Sequence, residues 1–311
     1  MFGVAPICRA LAHAGLVIAP NTYYRRRRRG VSKRALWDTT ITEVLAGFYE
    51  PDERGRPPES LYGSVKMWAH LNREGIEVAK CTVERLMRLN GWAGASRQTR
   101  PRTTIADPEA LEHRRPPDLV DRQFKVTAPD RLWVADFTYV IRVGGRWCYT
   151  AFTIDAFADT IVGWHTTAVA DAAMVEASFS DGIEFRARQG RPVAAGAIHH
   201  SDAGTQYTAL HFVGQLAEAE FRPSIGTVGD AYDNALAETI IGLYKTECTP
   251  TGSPFNPDGF TTVADVETAT AEWTHWFNTR RLLHRLGRRP PAEAETEHYA
   301  QQPADQPIGT S

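Results

Sequence analysis

No stretch of this chain approaches the ~20 consecutive apolar residues that a membrane-spanning helix needs, and its first residues lack a secretory pattern. The expected setting is a soluble protein of the cytoplasm with no membrane partner. Cysteine is scarce: Cys8, Cys81, Cys148 and Cys248 are scattered without paired spacing, which argues against a disulfide framework or a cysteine-based zinc site. Acidic side chains are missing from the first 37 residues, a stretch that holds Arg25, Arg26, Arg27, Arg28 and Arg29 and then Lys33 and Arg34. No internal repeat is present.

What is there is polarised. The net charge of −2 hides a basic front and an acidic back: residues 1–130 carry 22 Lys/Arg against 15 Asp/Glu, and residues 131–311 carry 13 against 22. Such a chain suits a protein that grips a polyanion with one part and gathers metal-binding carboxylates in another. At 311 residues it has room for two or three domains.

Taken in order, Ile7, Ala10 and Leu11 give a short helical stripe closed by Gly15, and Pro20-Asn21-Thr22 starts a second helix that leads into the arginines. Two short helices joined by a tight turn form a helix-turn-helix pattern in which Arg25 to Arg29 reach phosphates; the competing reading is a solvated linker. Asp38 is expected to cap a helix through Ile41, Val44, Leu45 and Phe48 that stops at Pro51. Ser64 starts another, ended by Gly75, and residues 81–89 form its partner. This second pair presents Lys80, Arg85 and Arg88 as candidate DNA contacts, although amphipathic helix pairs often only build a core. Residues 1–95 therefore read as a helical DNA-binding region, and the Arg- and Pro-rich stretch 96–130 as a linker.

Periodicity then changes. Residues 132–143, 146–154 and 160–168 alternate in strand fashion and are joined by short turns, which predicts an antiparallel meander. A helix over 172–189, a short strand ending at Ser201-Asp202, a helix over 206–220, a strand near 223–228 and a helix to about 247 follow. The fold class is α/β: a mixed sheet of meander plus parallel strands with helices on both faces, preceded by an all-α region. A last helix over 262–281 buries Val263, Val266, Thr270, Trp273, Trp276 and Phe277, Pro290-Pro291 ends that pattern, and residues 301–311 read as an unstructured tail.

Three carboxylates carry the chemistry. Asp136 lies on the inward face of a mostly apolar strand, where a charge is costly unless paired or bound to metal. Asp202 falls just past a strand end, and Glu238 lies on the final core helix with Asn234, Gly242 and Lys245 along the same face. Phosphodiester chemistry needs an activated oxygen nucleophile and charge relief at the leaving oxygen, and two divalent ions ~3.5–4 Å apart supply both. Hard cations favour oxygen ligands, so Mg²⁺, with Mn²⁺ as substitute and two ions per site, is the expected cofactor. Lys245 and Asn234 would touch DNA; the bland alternative is an amphipathic helix with its polar side outward. His199-His200-Ser201-Asp202 does not read as a hydrolase triad, because neighbours on a strand face opposite ways and no nucleophile-elbow glycines surround Ser201. Zinc lacks a second ligand pair nearby, and His200 is expected to buttress Asp202 or touch DNA. Asp155, Asp159, Asp230 and Asp233 suit turn or cap roles.

Three words in order, Trp133-Val134-Ala135-Asp136-Phe137-Thr138-Tyr139-Val140, His199-His200-Ser201-Asp202-Ala203-Gly204-Thr205-Gln206-Tyr207 and Gly229-Asp230-Ala231-Tyr232-Asp233-Asn234-Ala235-Leu236-Ala237-Glu238, closely resemble the integrase-core transposases of bacterial insertion sequences. More narrowly they look like the second-frame protein of the IS-three family, and the likeness includes Lys245 and Trp276-Phe277-Asn278 with Arg281. The resemblance implies a ribonuclease-H-like catalytic core over 131–250 with Asp136, Asp202 and Glu238 as its triad, and a helical extension over 251–300. It implies cutting of transposon ends and joining of the 3′-hydroxyl to target DNA, in a homo-oligomer on paired double-stranded ends. An upstream-frame DNA-binding protein is an implied partner, and the bacterial nucleoid the implied location. Departures are Ala203 after the second aspartate and Ala158-Asp159 after the Asp155-Ala156-Phe157 turn, where relatives carry polar or basic groups. The alternative function is a catalytically inactive DNA-binding or regulatory relative; a structure-selective nuclease fits the carboxylates but not the helical front.

Overall fold

A computed structural model describes residues 3–28, 30–96, 116–120, 124–143, 146–202, 204–226 and 234–301. Most of the expected linker, Arg29, Ala203, Asp230, Asp233 and the tail beyond 301 lie outside the described residues.

The front is helical: α1 (Val4–His13), α2 (Pro20–Arg28), α3 (Lys33–Tyr49), α4 (Ser64–Arg73) and α5 (Lys80–Leu89), with a 3-10 turn at Pro58–Leu61. The α1–α2 pair buries only Cys8. Helix α3 differs from expectation at its start, because the Ser32 hydroxyl, not Asp38, caps it by accepting from the Ala35 N–H at 3.1 Å. Asp38 lies inside the helix and binds Arg85 at 2.6 Å, tying α3 to α5. Helices α4 and α5 close a tight pair through Gly75, whose φ of 83° suits glycine, and through the Trp68 indole donating to the Val78 carbonyl at 2.9 Å.

Behind them β1 (Leu132–Val143), β2 (Arg146–Asp155), β3 (Thr160–Thr167), β4 (Ile198–Ser201) and β5 (Arg222–Ile225) form one sheet in the order β3-β2-β1-β4-β5. The first three are antiparallel neighbours; β4 and β5 run parallel to β1. This is the expected mixed sheet. Alternation along β1 sends Trp133 and Ala135 into the layer of α6 (Ala172–Arg188) and α7 (Leu210–Glu218), and Leu132 and Val134 into the layer of α8 (Ala235–Glu247) and α9 (Val263–Thr279). Helix α6 lies so close to β3 that a Cβ at Gly163 would stand 1.9 Å from the Ser178 carbonyl oxygen, so only glycine fits there.

The apolar interior on the α8–α9 side is continuous with the front helices: Ile41, Leu45, Met67, Leu71, Val83 and Leu86 belong to the same cluster as Val134, Ile240, Tyr244, Trp273 and Phe277. Polar ties reinforce it. Glu59 accepts from the Trp276 indole at 3.1 Å and pairs with Arg280 at 2.9 Å, and the Tyr62 hydroxyl donates to the Arg280 carbonyl at 3.1 Å. Asn278 brackets Ile161, accepting from its N–H at 3.0 Å and donating to its carbonyl at 2.8 Å, which docks α9 on β3.

An eleven-residue helix that the sequence does not announce, α10 (Pro291–Gln301), follows the double proline. Pro291 occupies its first position, where a missing N–H costs nothing. Its Glu295 reaches Arg186, a fully buried guanidinium that also binds Asp130 at 2.8 Å and Asp155 at 2.7 Å. Among the described residues no helix is long and apolar enough to cross a membrane.

Candidate active site

The parallel pairing of β1 with β4 runs from Leu132↔Ile198 to Ala135↔Ser201. Asp136 follows Ala135 within β1 and Asp202 follows Ser201 just past the end of β4, so two residues that lie far apart in the chain stand on neighbouring backbone segments, which a sheet spaces about 5 Å apart. Asp136 shares the face of Val134, the side covered by α8, and α8 packs on β1. Glu238 sits in the first turn of α8. The start of that helix is fixed beside Asp136, because the buried Asn234 amide donates to the Ala135 carbonyl at 3.0 Å.

Electrostatics report the same gathering. Burial, then the Asp202 and Glu238 carboxylates, push the Asp136 carboxyl up to about 8, against the pull of the Phe137 N–H and of Lys245. Burial also raises Asp202, opposed by the Gly204 N–H at 3.1 Å and by His200. Raised in this way, the Asp136 carboxyl keeps its proton at neutral pH unless a cation takes the proton's place. Carboxylate oxygens are the ligands that hard divalent ions prefer. As the side chains stand, no group of three or more His, Cys, Asp or Glu among the described residues is arranged to hold a metal ion.

The two histidines face opposite ways, as strand geometry requires. His199 lies among Phe179, Phe212 and Tyr207, while His200 Nδ1 meets the Ser224 hydroxyl at 2.8 Å. Burial, then His200, push His199 down to about 3 from 6.5. The unfolded chain therefore binds a proton that the folded chain refuses between those values, and stability is lost as pH falls through that window. The expected cost of His199 is roughly 3 kcal/mol by ~pH 4. His199→Phe should flatten the fall in urea midpoint from ~pH 7 to ~pH 4; an unchanged slope would assign the acid sensitivity elsewhere.

Comparison with known proteins follows this geometry. Residues 52–100 match an HTH-like domain, and residues 126–231 and 219–291 match integrase core domains. The Mycobacterium tuberculosis protein described as "Putative transposase for insertion sequence element IS986/IS6110" is 46% identical over 284 residues, covering 91% of this chain and 97% of its own. The transposase for IS629 of Shigella sonnei is 42% identical over 304 residues, covering 96% and 93%. The chain belongs to the IS-three family of insertion-sequence transposases. Among solved structures, a simian T-cell lymphotropic virus intasome in complex with PP2A regulatory subunit B56 gamma aligns with 14% identity and a TM-score of 0.45, covering 82% of the transposase and 80% of the matched chain. The HTLV-2 integrase catalytic core in complex with magnesium aligns with 11% identity and a TM-score of 0.38, covering 54% and 97%.

Several expected DNA contacts of the transposase are placed otherwise. Asn234 is buried and its amide nitrogen donates to the Ala135 carbonyl on β1, which positions α8. His200 is equally buried, with Phe124 against its ring, and supports the strand that ends at Asp202 without reaching solvent. Arg85 is committed to Asp38. Lys80 stays half exposed, 3.5 Å from Glu84 one turn on, and Arg25, Arg26, Arg27 and Arg28 stand exposed on α2. Lys245 is exposed with its ammonium 4.6 Å from the Tyr139 ring centre. Asp159, one of the departures, adopts φ of 59° and is bound by Arg285, which also donates to the Ala156 and Phe157 carbonyls. The acid thus holds a turn together.

Proposed function

We propose that this transposase cuts DNA at the ends of its insertion sequence and joins the freed 3′-hydroxyl to target DNA, with Asp136, Asp202 and Glu238 as the catalytic carboxylates. The observation that carries the reading is the β1–β4 register, which sets Asp136 beside Asp202 under the helix that bears Glu238. These three residues would hold Mg²⁺ or Mn²⁺. Bound ions would supply activation of the attacking oxygen and charge relief on the leaving one.

In the first step water forms a new bond to phosphorus as the bond to the 3′-oxygen breaks. In the second the exposed 3′-hydroxyl attacks a target phosphodiester and displaces another 3′-oxygen, so bonds are exchanged and no energy source is consumed. The chain's own part is positioning. Lys245 stands two turns, ~10.5 Å, beyond Glu238 and neutralises a phosphate of the strand lying on α8. Arg25, Arg26, Arg27 and Arg28 on α2 and Lys80 on α5 carry sequence-independent backbone contacts. Paired ends call for a second copy of the chain.

The test is a strand-transfer assay with labelled insertion-sequence ends and Mg²⁺ or Mn²⁺. Joined product is expected; cut product alone would make the protein a nuclease, and binding without either would leave a regulator.

A further inference from the structure

Where α4 of the front meets α8 of the core, a cavity of about 430 Å³ is lined by Gly63, Ser64 and Lys66 on one wall, by Thr239, Gly242 and Thr246 on another, and by Arg281 and His284. Its charges do not balance. Arg281 is consumed by Glu247, which it grips through two bonds of 2.8 and 2.5 Å. Lys66 has no ion-pair partner among the described residues; its ammonium rests 5.7 Å from the Tyr62 ring centre. Burial, then Arg281, lower Lys66 to about 8, with Glu247 opposing. At neutral pH it is a cation in a half-buried cavity whose lining carboxylate, Glu247, is already paired with Arg281, and burial of that kind is costly until a second anion arrives. The start of α4 adds to the same wall, since its N-cap Gly63 supplies no side chain to the first-turn N–H groups.

The place of the cavity on α8 says what that anion is. At about 100° per residue, Gly242 lies about 40° round the helix from Glu238, Thr246 about 80° and Thr239 about 100°, all on one side, with Lys245 about 20° on the other. Leu243 and Glu247 lie further round, at about 140° and 180°, so a strand lying along the Glu238–Lys245 line would border the cavity at Gly242, the α8 lining position nearest that line, which makes the Gly242 side its mouth for such a strand. A single uncompensated positive charge matches a phosphodiester, which carries a single negative one, better than a phosphate monoester.

We propose that this cavity is a phosphate site, in which Lys66, Ser64 and the α4 N-terminus take a backbone phosphodiester of the strand lying on α8 and so bind the front helices and the catalytic face to the same DNA. It rests on the reading of the protein as a DNA transposase and adds a contact from outside the integrase core.

The test measures binding of a labelled DNA duplex by the full chain across a salt series. Lys66→Met is expected to weaken binding roughly three- to tenfold and to lower the slope of log affinity against log salt by about one, while Lys66→Arg stays within about twofold. Equal affinity and slope in Lys66→Met, or equal loss in Lys66→Arg, overturns the site. Should Lys66→Met fail to fold, Thr246→Glu at the mouth must weaken binding to a similar degree, and no change there overturns it as well. Millimolar inorganic phosphate at constant ionic strength separates the sources: a phosphodiester site leaves DNA binding unchanged, and displacement of the DNA would make the cavity a site for free phosphate. A chain that binds no DNA at all would refute the function itself, whereas one that binds DNA independently of Lys66 refutes the pocket alone.

Discussion

Asp202→Asn is expected to reduce both end cutting and strand transfer by at least about a thousandfold, on the order of 4 kcal/mol of transition-state stabilisation. The amide keeps the shape of the carboxylate and the Gly204 N–H contact but removes the charge that a divalent ion would need. DNA binding should persist, since one negative charge is taken away from a surface that faces a polyanion. The melting temperature of the metal-free protein should hold or rise slightly, because Asp202 is the largest charged influence raising Asp136 and its loss relieves that repulsion. Activity lost together with folding would say nothing of catalysis, so the thermal midpoint is part of the measurement. Product formation near the parent rate would sink the assignment of the triad.

The second large effect is on stability. Arg186 is fully buried and holds Asp130, Asp155 and Glu295, with the Thr160 hydroxyl completing Glu295 at 2.6 Å and the Asp130 and Phe157 N–H groups completing Asp155 at 2.8 and 2.9 Å. Burial, then Asp130, already raise Asp155 against the pull of Arg186. Arg186→Met would leave three carboxylates in the interior with no cation, a change that costs ~3–5 kcal/mol. Urea unfolding should show that loss, and hydrogen exchange should show α10 released, since Glu295 is its buried anchor. A loss under about 1 kcal/mol would mean the acids are absorbed by protonation or solvent.

Neither this cluster nor α10 was legible in the sequence, and the reasons are physical. The four residues of the ion cluster lie at 130, 155, 186 and 295, so nothing in local spacing joins them, and Pro290-Pro291 reads as a stop although proline is equally at home in the first turn of a helix. The meander and the β4 strand were legible, because alternation of apolar residues on half-buried strands is a short-range signal. The order of β4 and β5 beside β1 needed the structure, since parallel pairing leaves no mark on any one segment. Asn234 shows a subtler limit. It shares a helical line with Glu238 and Lys245, yet as the N-cap residue it precedes the first turn and turns inward to β1. For His200 alternation left two roles open, a buttress for Asp202 or a DNA contact, because it gives the face of a strand but not what covers it; Ser224 and Phe124 cover it here, as a buttress requires.

The shared interior of the front helices and the core has a mechanical consequence. With Ile41, Met67, Trp276 and Tyr244 in one continuous cluster, and Glu59 pinned to Trp276 and Arg280, helices α3 to α5 and the core share one packed interior among the described residues, whereas α1 and α2 contribute nothing to that cluster. On the proposed function, DNA held by α3 to α5 and by the catalytic carboxylates has to follow that shared surface, and the bendability of the base steps between the two contacts then becomes part of what the protein selects.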